Sequence, residues 1–282
     1  MINYFLKYKT KKIISLPPNI NDIESSNKIL FSIFTRYGDT VIDLVVIKEF
    51  IELYPAKEYL ILCPRQMKPY VDELLPNIEC ITINKRNIFE MYKIDKLLKK
   101  RVFDIGFNPW SNGLDSCYFL TYCKIFLFYK DFDRPKNINH YQVVRRYLKL
   151  PERDWAIKRL IVKKGYKNIL ICPQSTNIYR SLNNEQLDML ILDFQKKYQQ
   201  SEITIASMDK SYFRWKCNNF FFEKTSHSSE KFIDLIRQSE LVVCVDSGPL
   251  HISLAMQKDL LAYMRLTSPE TVINSGSCLA IK

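Results

Sequence analysis

From residue 28 onward the chain alternates short, almost wholly apolar runs with segments of helical spacing, and that alternation constrains its fold more than any other property. Residues 29–34, 59–63, 78–83, 102–107 and 125–129 read as strands, with helices at 40–53, 66–75, 88–100 and about 115–122 between them. A strand that is apolar at nearly every position has both faces buried, the condition of a parallel sheet covered by helices on each side. Residues 130–154 then turn polar, carry Pro135 and Pro151, and hold one predicted helix at 141–148. A second alternating series follows, with strands at 168–172, 202–206, 219–222, 241–245 and 260–264 and helices at 184–197, 229–238 and 249–256.

Length agrees with two such halves. At 282 residues and 47% hydrophobic the chain buries two cores of ordinary size, since domains commonly run to about 100–200 residues. The expectation is an α/β chain of two Rossmann-like parallel-sheet domains, 1–150 and 151–282, facing each other across a cleft: the GT-B architecture. Residues 1–27 are expected to form a basic N-terminal arm. There Lys7, Lys9, Lys11 and Lys12 cluster with Tyr4, Phe5 and Tyr8, as a solvated arm or as a contact for an anionic membrane surface.

No apolar run reaches the roughly 18–20 residues of a membrane span, and the N-terminal charges follow the apolar residues, the reverse of a signal peptide, so a cytoplasmic protein is expected. The eight cysteines include no C-x-x-C pair, which favours reduced structural thiols over a metal cluster or disulfides. The net charge of +12, from 42 Lys and Arg against 30 acids, implies attraction to a polyanion: nucleic acid, anionic lipid or phosphorylated substrate. The basic residues are dispersed and form no nucleic-acid-binding motif, so no specific nucleic-acid partner is expected.

Three turns concentrate the polar chemistry. Asp246-Ser247-Gly248-Pro249-Leu250-His251 follows the apolar run 241–245 and opens a helix, whose unpaired N–H groups and dipole favour anions. Only six glycines occur in the chain, so Gly248 is expected where the backbone needs positive φ or where a ligand comes close. His251, beside Ile252 and Leu254, either meets a ligand or satisfies a local hydrogen bond. After the first strand, Thr35-Arg36-Tyr37-Gly38-Asp39-Thr40 sets a carboxylate at a strand's carboxyl end, where open parallel sheets hold ligands. Asp39 is there either a helix N-cap or a general base. The loop after Cys172 carries Ser175, Thr176 and Arg180, suited to phosphate oxygens, and otherwise reads as a polar connection ending in the cap Asn183. Asp131-Phe132-Asp133 has the form of a metal-binding D-x-D, but a lone pair of this kind is common by chance, and no metal site is expected.

With these turns in this order, the chain resembles the ADP-heptose:lipopolysaccharide heptosyltransferases, glycosyltransferase family 9, from about Lys28 to Pro269. The most specific stretch is Asp246 to Ala255, followed by Leu266-Thr267-Ser268-Pro269; next comes Lys28 to Val41 with its Gly38-Asp39 turn. The resemblance implies an inverting glycosyltransferase that needs no metal or other cofactor. Asp39 is its catalytic base; Ser175, Thr176, Arg180, Thr225, Ser226, Asp246, Ser247, Gly248 and His251 hold the nucleotide-sugar donor. Arg36, Asn108, Trp110 and Ser116 lie on the acceptor side. It further implies an N-terminal acceptor domain and a C-terminal donor domain, short at its C-terminus, with Arg180 where the family has lysine.

The activity implied is transfer of a sugar, first choice heptose from ADP-heptose, to an anionic lipopolysaccharide, lipooligosaccharide or related surface glycan, with peripheral contact to the inner face of the bacterial inner membrane. The alternatives are another nucleotide sugar used for capsule or protein glycosylation, and a non-catalytic relative that binds nucleotide or glycan.

Overall fold

A computed structural model describes residues 18–84, 87–111, 113–135, 138–153, 158–163, 165–274 and 277–281. The chain divides into two compact units, one of residues 1–136 and 140–153, the other of 137–139 and 154–282.

The first unit opens with helix α1 (Ile20–Ser25), which falls inside the stretch expected to be a basic arm. Asn19 and Asp22 close a reciprocal capping box on it, and Ile23 is buried. The expected basic cluster, Lys7 to Lys12 with Tyr4, Phe5 and Tyr8, lies outside the described residues. Strands β1 (Lys28–Ser32), β2 (Glu58–Pro64), β3 (Glu79–Ile83), β4 (Phe103–Phe107) and β5 (Cys123–Leu127) form one parallel sheet in the order β3-β2-β1-β4-β5. Helices α2 (Tyr37–Leu53), α3 (Lys68–Leu74), α4 (Ile88–Lys99), α5 (Leu114–Leu120) and α6 (His140–Tyr147) accompany it. Leu30, Leu60, Leu62, Phe103 and Phe119 form its core on one side, while Phe31 stacks on Phe107 and meets Phe50 of α2 edge-on. Helix α2 is buried around most of its circumference, at Val41, Ile42, Leu44, Val46, Ile47 and Phe50, and packs on both α3 and α6.

The second unit is built the same way. Strands β6 (Lys158–Arg159), β7 (Asn168–Cys172), β8 (Glu202–Ser207), β9 (Asn218–Phe221), β10 (Leu241–Val245), β11 (Asp259–Tyr263) and β12 (Ser277–Ile281) form a parallel sheet in the order β6-β12-β11-β10-β7-β8-β9. Helices α7 (Asn184–Lys197), α8 (Ser226–Gln238), α9 (Gly248–Ala255) and α10 (Pro269–Val272) flank it. Ile169, Ile171, Leu187, Ile191, Ile205, Val243 and Val245 fill its core.

The two alternating series therefore fold as expected, with some element ends moved by one to three residues, and two departures stand out. The last strand of the first sheet ends at Leu127, not residue 129. Phe128 and Tyr129 remain buried in a turn, and the Tyr129 N–H bonds the Asn108 side chain instead of a neighbouring strand. Burial alone does not separate a strand from a turn that stays in the core. At the other end, β12 was not expected, although residues 278–281 form an apolar run of four; it pairs with β11 from Leu260↔Cys278 to Tyr263↔Ile281.

Candidate functional site

In each sheet the strand order reverses at one place, and open α/β sheets hold their ligands there, beyond the carboxyl ends of the strands. In the second unit that place lies between β7 and β10. The loops that leave those strands, 173–183 and 246–247, carry the expected donor residues and are tied by an ion pair: Arg180 Nη1 lies 3.0 Å from Asp246 Oδ2. Thr267, beyond β11, bonds the same carboxylate oxygen through its hydroxyl at 2.5 Å, and Arg265 Nη1 donates to the Ser181 carbonyl at 3.2 Å. Asp246 is 4% exposed, so its charge is spent on Arg180 and Thr267. It positions the arginine and offers little to a ligand of its own, which revises the direct donor contact expected of it.

Arg180 is left reaching outward. Its side chain is 38% exposed, and its Nε is buried with no hydrogen-bond partner among the described residues. Such an unmade bond is costly unless a ligand completes it. Ser175 is buried and held in the loop: its N–H donates to Ser181 Oγ at 2.9 Å. Thr176 is exposed at the loop's outer edge, and Asn183 caps α7 with Gln186 in a capping box.

Ser247 is the N-cap of α9 by backbone geometry, but its hydroxyl contacts the Val245 carbonyl at 3.2 Å and makes no capping bond to the helix. The first-turn N–H groups are thus not closed off by their own cap. Gly248 is the first helical residue, and Gly38 lies in the first turn of α2; neither has positive φ, so only close approach remains as a reason for them. His251 is buried in α9. Thr225 caps α8, accepting the Ser228 N–H at 3.1 Å, with Ser226 as the first residue of that helix. The capping explanation accounts for Thr225 fully.

In the first unit the order reverses between β1 and β4. The loops leaving these strands are joined where the Phe34 N–H donates to Ser111 Oγ at 3.2 Å. Arg36, exposed, is the N-cap of α2 without a side-chain cap bond, which places Asp39 third in the helix and not at the cap. Asp39 is partly exposed and favoured by the helix dipole. One turn on, Asp43 is fully buried, and neither carboxylate oxygen has a hydrogen-bond partner among the described residues. Burial first, and the Asp39 charge second, hold its pKa well above the usual carboxylate value, which favours the neutral acid.

Asn108 and Ser116, expected on the acceptor side, are instead wholly buried. Asn108 Nδ2 donates to the Ser111 carbonyl at 2.7 Å and to Ser116 Oγ at 3.0 Å, its Oδ1 accepts the Tyr129 N–H at 2.8 Å, and its N–H donates to the Tyr147 hydroxyl at 2.9 Å. All its bonding capacity is used inside the protein; the pair pins the loop that presents Trp110. Trp110 has φ of 49°, a left-handed conformation costly for a bulky residue. Its ring meets Tyr129 at 5.4 Å and His140 at 5.2 Å, Arg134 lies over it at 5.6 Å, and its Nε1 is buried without a hydrogen-bond partner among the described residues. Asp131 and Asp133 are exposed, and no group of three or more His, Cys, Asp or Glu that could hold a metal occurs among the described residues.

Residues 226–274, from the start of α8 through the Asp246 turn to Thr267 and beyond, match the profile of Glycosyltransferase family 9 (heptosyltransferase). The match is confined to this segment of the second unit and shows similarity to that family there. The fold agrees. The family 9 glycosyl transferase of Veillonella parvula superposes with a TM-score of 0.68 at 11% identity, covering 90% of this chain and 85% of its own. The Escherichia coli heptosyltransferase WaaC, solved with ADP, gives 0.66 at 11% identity over 90% and 93%, and the E. coli ADP-heptose lipopolysaccharide heptosyltransferase II gives 0.64 at 15% over 90% and 90%. No curated protein sequence matches the chain. The two parallel-sheet units have the GT-B fold. Sequence reasoning had missed Thr267 and Arg265 as parts of the Arg180 cluster, although the first was quoted in the family-like Leu266-Thr267-Ser268-Pro269 segment. It had also missed Asp43, signalled by a carboxylate in the middle of an otherwise apolar stretch of α2.

Proposed function

We propose that this chain is a family 9 glycosyltransferase, inverting and metal-independent, that moves a sugar from a nucleotide diphosphate donor, first choice ADP-heptose, to a hydroxyl of an anionic surface-glycan acceptor of the lipopolysaccharide class. The observation that carries the reading is the Arg180–Asp246–Thr267 cluster, with a buried Arg180 N–H that lacks an acceptor. A diphosphate oxygen is the acceptor that group lacks. As the sugar–phosphate bond breaks, charge grows on the departing diphosphate, and a fixed guanidinium beside uncapped helix N–H groups stabilises that state more than the ground state. Asp39 takes the proton of the attacking acceptor hydroxyl; the oxygen bonds to the anomeric carbon from the face opposite the leaving group, and configuration inverts. The net positive charge of +12 suits an acidic glycolipid at a membrane face, reached without a crossing helix: among the described residues no helix is long and apolar enough to span one.

The test is turnover of ADP-heptose with lipopolysaccharide-core acceptors by the full chain and by Asp39→Ala with its fold checked by circular dichroism. Transfer by the wild type that falls at least 100-fold in the variant supports the reading. Equal activity in both removes Asp39 as base, and nucleotide binding without any transfer favours a non-catalytic relative.

A further inference from the structure

The eight cysteines do not share one environment. Burial pushes Cys117, Cys123, Cys172, Cys217, Cys244 and Cys278 above the ordinary thiol value. Cys63 and Cys80 stand apart, because their sulfurs lie 3.6 Å from each other on neighbouring strands β2 and β3. Cys63 is buried, whereas Cys80 is only partly buried and sits on β3, the edge strand of its sheet. Cys80 pairs with Ile61 in the register, which puts Cys63 two residues further along the same face.

That offset decides what the pair is suited to. Two residues along a strand add about 6.6 Å, so the two Cα atoms stand beyond the usual disulfide reach unless the strands shift. A hydrogen bond between a thiol and a thiolate has no such requirement. At this separation either sulfur can donate; with the buried Cys63 thiol as donor the Cys80 pKa is held down while that of Cys63 goes up, and the Lys68 ammonium acts on Cys80 in the same direction. Burial and the Asp72 carboxylate oppose these effects, and Asp72 is itself paired with Lys68 at 2.6 Å. A partly buried thiol at a sheet edge, beside a second sulfur and a cation that lower its pKa, is the setting in which a cysteine becomes a nucleophile.

We propose that Cys80 is a reactive thiolate centre at which peroxide-class oxidants modify this protein, with Cys63 as its hydrogen-bond donor. The Cys80 sulfur attacks one oxygen of hydrogen peroxide; the S–O bond forms as the O–O bond breaks, sulfur loses two electrons to the peroxide, and the departing hydroxide takes a proton from solvent and leaves as water. The product is a sulfenic acid on Cys80.

Cys217, also partly buried but with its thiol pushed up, is an internal control. Native full-length protein is treated with limiting iodoacetamide across pH 5.5–9 and mapped by peptide mass spectrometry. Cys80 is expected to alkylate at least tenfold faster than Cys217 at neutral pH; Cys63→Ala slows Cys80 and moves its rate midpoint to higher pH, and Cys63→Ser, which keeps a donor, restores part of both. After hydrogen peroxide, dimedone is expected to trap Cys80. Alkylation of Cys80 no faster than that of Cys217, unchanged rate and midpoint in Cys63→Ala, or no dimedone adduct on Cys80 overturns the proposal. The wild-type comparison and the dimedone result stand even if the Cys63 variants fail to fold.

Discussion

Asp246 and Arg180, 66 residues apart in the chain (246 − 180), meet at 3.0 Å between the two loops that leave β7 and β10, and the carboxylate is buried while the guanidinium reaches solvent. In the proposed donor site this gives the acidic residue a place: it fixes the cation proposed to meet the phosphate. Replacing Asp246 by Ala should therefore weaken nucleotide affinity about 10–100-fold, as about 1.4–2.8 kcal/mol of positioning is lost, while the second unit stays folded. Calorimetric titration with ADP checks this, and unchanged affinity would mean that Arg180 needs no partner.

Thr267 shares Asp246 Oδ2 with Arg180. Thr267→Val keeps shape and removes the hydroxyl, so about 1–2 kcal/mol of stability should be lost, mostly from the second unit, since a hydrogen bond to a charged group disappears. A thermal melt with and without ADP separates this from a binding effect: the nucleotide-induced rise in Tm should survive in the variant.

Asn108 is the hub of the first unit's loop. Asn108→Ala strands the Tyr129 N–H and frees Ser116 at once, at an expected cost of about 2–4 kcal/mol, or roughly 4–12 °C in the melting of a unit of this size. Ser116→Ala should cost less, because Asn108 Nδ2 still donates to the Ser111 carbonyl at 2.7 Å. If Asn108 bound the acceptor directly instead, Asn108→Ala would leave the melt unchanged.

Asp43 predicts a pH dependence whose sign follows from its raised pKa. Below the unfolded carboxylate value, about 3.9, both folded and unfolded states carry the proton and the group costs nothing. As pH rises, the unfolded chain ionises first and the folded one resists, so stability falls until the pH passes the folded value. Asp43→Asn removes this loss. The variant should melt several degrees above the wild type at pH 8, with the gap closing toward pH 4; a gap that is constant with pH would show that Asp43 is not held neutral.

The fold was legible wherever apolar runs alternate with helical spacing, because a doubly covered parallel sheet imposes that pattern on its strands. Residues 168–172, 184–197 and 241–245 were placed to the residue, since each is bounded by a polar or capping residue such as Asn183. It was less legible where a turn stays in the core, as at Tyr129, or at β12, which lies between β6 and β11. In the candidate site, the turns were visible as polar interruptions after strands, but the roles within them were not. Spacing puts Asp246 and Arg180 in loops at the carboxyl ends of strands; only the structure shows the ion pair between them. Asn108 and Ser116 were expected on the acceptor side, because nothing in the sequence distinguishes a polar side chain that meets a ligand from one that pins the loop presenting it.

The most direct test of the donor site is calorimetric titration of ADP into the full chain, wild type and Arg180→Ala, with Asp39→Ala as reference. The account predicts binding by the wild type, equal binding by Asp39→Ala, and affinity at least tenfold weaker in Arg180→Ala. Binding unaffected by Arg180→Ala, or no binding by the wild type, would contradict it.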